Sequence, residues 1–228
     1  MGANRWRDAR DWPPPAHQRR FYLESRGHAN TLSGDGRLDV RAPADGARPA
    51  RSRAHRRRRG LLQSQGFPWG PKDQRAVEQR RDVLVYTTPP LRKEVEVIGP
   101  VRVVLYAATS ARDTDFTAKL VDVFPDGRAQ NLTDGILRLR YRKSLEKPEL
   151  ARPGEICKLT IDAGVTGNVF QKGHRIRMEI SSSNFPRFDR NPNTGEPVAD
   201  ATELRKATQT VYHDARRSSY VLLPVVED

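Results

Sequence analysis

Beyond residue 73 the apolar side chains recur at every second position, and that period confines the chain to β-structure. Leu137, Leu139 and Tyr141 alternate with Arg138, Arg140 and Arg142. His174, Ile176, Met178 and Ile180 alternate with Arg175, Arg177 and Glu179, and Cys157, Leu159 and Ile161 with Lys158 and Thr160. Val101, Val103 and Leu105 share one face of a run rich in β-branched residues. Such segments read as half-buried antiparallel strands whose arginines form a solvated or partner-facing surface.

Turn formers stand between these segments. Pro125-Asp126-Gly127, Thr133-Asp134-Gly135, Arg152-Pro153-Gly154 and Gln171-Lys172-Gly173 each precede a new alternating run. Counting VLVYTT, VEVIGPVRVVLYAAT, FTAKLVDVF, ILRLRYR, EICKLTI, HRIRMEI, QTVYHD and YVLLPVV gives about eight strands. The expected fold is all-β, a two-sheet sandwich of jelly-roll type. Helix is expected only over residues 202–208.

Charge divides the 228 residues further. The net charge is +13, but residues 1–72 hold sixteen Lys/Arg against six Asp/Glu, leaving a net of only +3 for the remainder. Seven arginines fall between Arg48 and Arg59. Residues 41–72 are dominated by Arg, Ala, Pro and Gly, a composition that packs no core, and read as an irregular link. A basic arm of this kind could bind polyanions. It carries no interleaved aromatics and no nucleic-acid-binding motif follows it, so a nucleic-acid partner is not expected.

Cys157, the single cysteine, excludes an internal disulfide and a multi-thiolate zinc site, and fits a reducing compartment. No run of eighteen apolar residues exists for a membrane span, and the charged start lacks the apolar stretch of a signal peptide, so a cytoplasmic location is expected. Asn131-Leu132-Thr133 has the form of a glycosylation acceptor, which carries no meaning in that compartment.

Catalytic chemistry finds little support in the residues. No G-x-S-x-G elbow presents a serine, and Ser181-Ser182-Ser183 reads as a strand end. His17, His28, His55, His174 and His213 lack an evident nucleophile to serve. Cys157 lies on the apolar side of its strand, where a thiol is inert. Asp113-Thr114-Asp115 lacks the further oxygens of a calcium loop and reads as a turn whose aspartates cap backbone amides. The loop from Phe188 to Gly195 is dense in turn formers and is a candidate functional surface. No catalytic residue, metal or cofactor is expected.

The segments DQRAVEQRRDVLVYTTPPL, TSARDTDFTAKLVDVFPDGRAQNLTDGILRLRYR, GNVFQKGHRIRMEISSSNFPRFDRNPNTG and ATQTVYHDARRSSYVLLPV resemble the C-terminal domain of the CocE/NonD family of serine hydrolases, which includes esterases and X-Pro dipeptidyl-peptidases. MGANRWRDARDWPPP and RFYLESRGHANTLSGDGRL are similar to the end of that family's hydrolase domain. The resemblance implies a remnant of that domain over 1–40, the link over 41–72, and a galactose-binding-like jelly roll over 73–228. It implies an α/β-hydrolase catalytic domain as partner, and a small acyl or peptide substrate only in the intact enzyme. The Ser-His-Asp triad of the family precedes the first residue here, so none of it carries over.

The positions similar to the family's signature loops are Asp113, Asp115 and Phe116 in one loop, and Ser183, Asn184, Phe185, Asp189 and Asn191 in another. The chain departs from the family between Ala47 and Gly60, where a shift of reading frame in the gene would account for the arginines. The expected role is a non-catalytic portion of a serine hydrolase. The rival readings are a free-standing carbohydrate- or ligand-binding sandwich and a polyanion-binding protein.

Overall fold

The computed structural model describes residues 2–4, 6, 8–43, 50–54 and 70–226. In chain order these form β1 (His17–Glu24), β2 (Arg37–Asp39), β3 (Ala50–Ala54), a single helical turn α1 (Arg75–Glu78), β4 (Leu84–Thr87), β5 (Val95–Thr109) and β6 (Asp115–Val123). There follow β7 (Ala129–Arg138), β8 (Cys157–Phe170), β9 (Arg175–Ser181), β10 (Ala207–Asp214), β11 (Arg217–Ser218) and β12 (Tyr220–Val226).

The strands make one curled sheet in the order β11-β10-β5-β12-β1-β2-β4-β9-β6-β7, with β8 on β5 and β3 on β10. All the pairings are antiparallel except β2 with β4. Curling brings β7 back against β8, giving the two layers of a β-sandwich. Gly135 of β7 makes that approach possible, because a Cβ there would stand 1.8 Å from the Asp162 carbonyl oxygen of β8. Two residues away, the Thr133 hydroxyl donates to the Ala163 carbonyl at 2.6 Å.

Between the layers lies the main core, with Leu105, Phe116, Leu120, Leu159, Met178 and Leu223 fully enclosed. Each such side chain contributes about 1.5–3 kcal/mol through burial. All nine residues of β6 are buried, so its second face is covered as well. The chain from Asp73 to Val83 crosses that outer face. It adds Val77 and Val83 to Val85 of β4, while Val121, Val123 and Ala129 cluster nearby. The Gln74 N–H fixes the crossing by donating to the Ala129 carbonyl at 2.7 Å.

Several sequence expectations change. β1 is an interior strand between β12 and β2, so residues 17–39 pair into the same sheet as the strands beyond residue 73. Of the Arg-rich link, Ala50–Ala54 pairs with β10, while residues 44–49 and 55–69 lie outside the described residues. No helix forms over 202–208, because Ala207 already belongs to β10 and is buried beside β3. The ILRLRYR strand ends at Arg138 and turns into a 3-10 segment, Leu139–Tyr141. Arg177 and Glu179 face no solvent, being 6% and 3% exposed on the covered outer face.

Replacing Gly135 by Ala drives a methyl group into the β8 backbone. Chemical denaturation should show a loss of about 1–3 kcal/mol or more in unfolding free energy. A loss below about 0.5 kcal/mol would mean that β7 and β8 do not meet as described.

Candidate functional site

The antiparallel registers carry the β5–β6, β7–β8 and β9–β10 connections to one end of the sandwich, and a knot of buried charge ties them together. Asp113 precedes β6 and Asp115 begins it, while Arg138 ends β7 directly opposite Asp115. Arg138 grips Asp115 through Nε at 2.9 Å and Nη2 at 3.1 Å. Arg140 donates to Asp113 from its backbone N–H at 2.9 Å and from Nε at 2.8 Å. Asn191, from the β9–β10 connection, donates its side-chain amide to both aspartates at 2.9 Å.

Asp113 and Asp115 are essentially inaccessible, and burial pushes the Asp115 carboxyl above its ordinary pKa against the pull of Arg138 and Asn191. A buried carboxylate requires such partners, since an isolated charge in the interior costs several kcal/mol. The aspartates therefore reach across to β7 and to Asn191 instead of capping their own turn. Charge pairing also explains why Arg138 and Arg140 do not form a solvated strand face.

Further bonds extend the knot. Arg140 Nη2 donates to the Glu196 carbonyl, and Gln209 Nε2 donates to Thr114 Oγ1. The long β7–β8 connection is laid against it: Glu149 N–H donates to Arg140 O, Ala151 N–H to Arg112 O, and Gly154 N–H to Thr109 O. Leu145, 82% exposed, and Ile156, 40% exposed, project from this connection.

The structure brings Asp113, Asp115 and Asn191 into one cluster, while Phe116 lies in the main core beside it. Asn184 is buried elsewhere on the same connection, bonded to Asp134, which also pairs with Arg187 at 2.6 Å. Ser183 and Asp189 are exposed, and half-buried Phe185 stacks under the Arg190 guanidinium at 4.2 Å. Arg138 and Arg140 escaped sequence reasoning because alternation alone assigned them to solvent.

Two of the histidines are held in side-chain pairs. His174 meets Asp122 at 2.9 Å, and buried His213 meets the Tyr86 hydroxyl at 3.3 Å. His55 lies outside the described residues. Burial raises the pKa of the free Cys157 thiol, away from reactivity. Among the described residues no group of three or more His, Cys, Asp or Glu could hold a metal ion.

A second buried charge cluster lies on the outer face. Arg177 Nη1 donates to Glu78 of α1 at 2.7 Å, and Lys119 Nζ donates to Gln74 at 3.1 Å. Glu179 sits beside Lys119 in the β6–β9 register. Burial, reinforced by nearby Glu78, pushes the Glu179 pKa up to about 8 despite Lys119. Glu78 Oε1 and Glu179 Oε1 are both buried without a hydrogen-bond partner among the described groups.

The described residues form an all-β sandwich whose loop-end charges are paired internally. Over residues 1–222 the chain matches the X-Pro dipeptidyl-peptidase C-terminal non-catalytic domain, and it belongs to that family. It is 44% identical over 239 residues to a cocaine esterase of Rhodococcus sp. (strain MB1 Bresler), a comparison covering all of this chain and 41% of the esterase.

Among solved structures, an aminopeptidase from the marine sediment archaeon Thaumarchaeota archaeon superposes with a TM-score of 0.86 at 30% identity, over 100% of this chain and 40% of that one. An α-amino acid ester hydrolase gives a TM-score of 0.89 at 28% identity, over 99% of this chain and 40% of that one. The chain thus spans about two-fifths of the length of these relatives and corresponds to their C-terminal part.

Two outcomes follow from the charge clusters. Asn191→Ala leaves both aspartates short of a donor and should lower unfolding free energy by about 1–3 kcal/mol. Hydrogen exchange should accelerate at 109–115 and 138–142, and unchanged exchange there would refute the knot. For Glu179, a folded pKa of about 8 above an unfolded value near 4.3 means the native state holds the extra proton. Stability should fall as pH rises from about 4.5 to 8, by at most about 1.4 kcal/mol per pH unit. Glu179→Gln should flatten that profile in denaturation series, and an unaltered slope would assign it to other groups.

Proposed function

We propose that this chain is the non-catalytic sandwich of a CocE/NonD-type serine hydrolase acting on acyl esters or X-Pro peptides. Its loop end would pack against an α/β-hydrolase catalytic domain and help wall the substrate cleft. The observation that carries the reading is the match of the entire chain, at 44% identity, to only 41% of a cocaine esterase. The remaining length of such relatives is where a triad would reside.

The loop end suits this role physically. Three connections are locked together by ion pairs that are already satisfied, so they offer a rigid platform instead of reactive groups. Leu145 and Ile156 expose apolar surface on that platform, beside Lys143 and Glu149, which pair at 2.8 Å. Apolar groups rimmed by charge are characteristic of a surface that another domain covers. Asp113, Asp115 and Asn191 act as positioning residues for these loops, with Phe116 anchoring the start of β6 in the core. Ser183, Asn184, Phe185 and Asp189 shape the β9–β10 connection that also carries Asn191.

The purified chain should hydrolyse neither p-nitrophenyl esters nor X-Pro anilides above the uncatalysed rate. Turnover that co-purifies with the chain through successive columns, and is lost on mutating one of its own side chains, would overturn the non-catalytic reading.

A further inference from the structure

An open groove of about 420 Å³ lies at the uncovered margin of the outer face, between the β1–β2 loop, β2, β4 and β9. Its floor is set by register. Arg37 of β2 is aligned with Thr87 of β4, and Thr87 with Arg177 of β9. Directly aligned residues of neighbouring strands point to the same side, so an Arg-Thr-Arg row crosses three strands on one face. Arg175, two residues along β9, adds a third guanidinium to that face. Thr88, Pro89 and Pro90 line one margin. At the β1–β2 loop, Gly36 brings backbone close to β4, where a Cβ would stand 2.0 Å from the Val85 carbonyl oxygen.

The charges in this groove are only partly compensated. Arg177 donates to Glu78 and to Thr87 Oγ1, which uses Nη1 and Nε and leaves Nη2 without a hydrogen bond among the described groups. Arg175 makes one bond, from Nη1 to the Thr88 carbonyl at 3.2 Å, and pairs with no described carboxylate. Arg37 is exposed and feels Glu24 only at longer range. The nearby carboxylate of Asp35 is engaged by Ser25 Oγ and by the Arg26 and His28 N–H groups. Glu179 and Lys119, farther along the same face, belong to the enclosed cluster.

Placing three guanidinium groups around one concavity costs like-charge repulsion, which an anion in that concavity removes. Their planar donor forks match the two oxygens of a carboxylate or phosphate. We propose that this groove is a binding site for a small oxyanion of the carboxylate or phosphate class, held by Arg175 and Arg37 over the Thr87–Thr88 strand end and backed by Arg177. The site lies away from the loop end and holds or falls independently of the hydrolase reading.

Inorganic phosphate and citrate are the probes, titrated separately into the purified chain against sodium chloride of matched ionic strength. Thermal unfolding and backbone amide NMR shifts are the readouts. A saturable rise in Tm beyond that given by chloride is expected, with shifts confined to residues 34–37, 87–90 and 175–177. Arg175→Gln and Arg37→Gln, both folded by far-ultraviolet circular dichroism, should each weaken the apparent affinity at least tenfold, while Arg175→Lys should recover part of it. Response to only one probe would identify the carboxylate or the phosphate as the form recognised. Equal stabilisation by chloride, or affinity unchanged in both glutamine variants, would overturn the site.

Discussion

The sandwich depends on one close approach, that of β7 to β8 where the curled sheet returns on itself. Only a residue without Cβ fits opposite the Asp162 carbonyl, and Gly135 occupies that position. With that contact made, a single sheet encloses Leu105, Phe116 and Leu159 between its two layers, and hydrophobic burial stabilises the curl. The same closure sends the β5–β6, β7–β8 and β9–β10 connections to one end. It thereby decides which polar residues meet there.

Burial also dictates how charge is used. β6, and β9 over Ile176–Ile180, are covered on both faces, so polar residues in alternating positions there cannot drain to solvent as they do in a one-sided sheet. At the loop end the solution is complete: Asp113 and Asp115 each find an arginine and share Asn191. On the outer face it is incomplete, with two carboxyls sharing the reach of Arg177 and Lys119 and one of them driven towards protonation. Where that face opens to solvent, the arginines outnumber their partners and a basic groove results. These three environments arise from the same strands and differ in how much of each is covered.

Most of the strands were legible because their period and turn residues are local properties. Val95–Thr109 and Tyr220–Val226 stand in the structure as the sequence patterns them. The failures are tertiary. Nothing local in ILRLRYR shows that Asp113 and Asp115 will capture the two arginines, or that the strand will end at Arg138. The placement of residues 17–39 inside the sheet depends on pairing with β12, almost two hundred residues away in sequence. The resemblance located Asp113, Asp115 and Asn191 in two separate loops, and only the fold shows them sharing hydrogen bonds.

The central proposal is that the rigid loop end is the surface a catalytic domain would contact. Its most direct test is hydrogen exchange on this chain, alone and with the catalytic portion of the Rhodococcus cocaine esterase added in trans. The account predicts new protection within residues 142–156, around Leu145 and Ile156, with the turns at 125–128 and 171–174 at the opposite end unaffected. Protection confined to those turns, or no change anywhere at saturating partner, would contradict it.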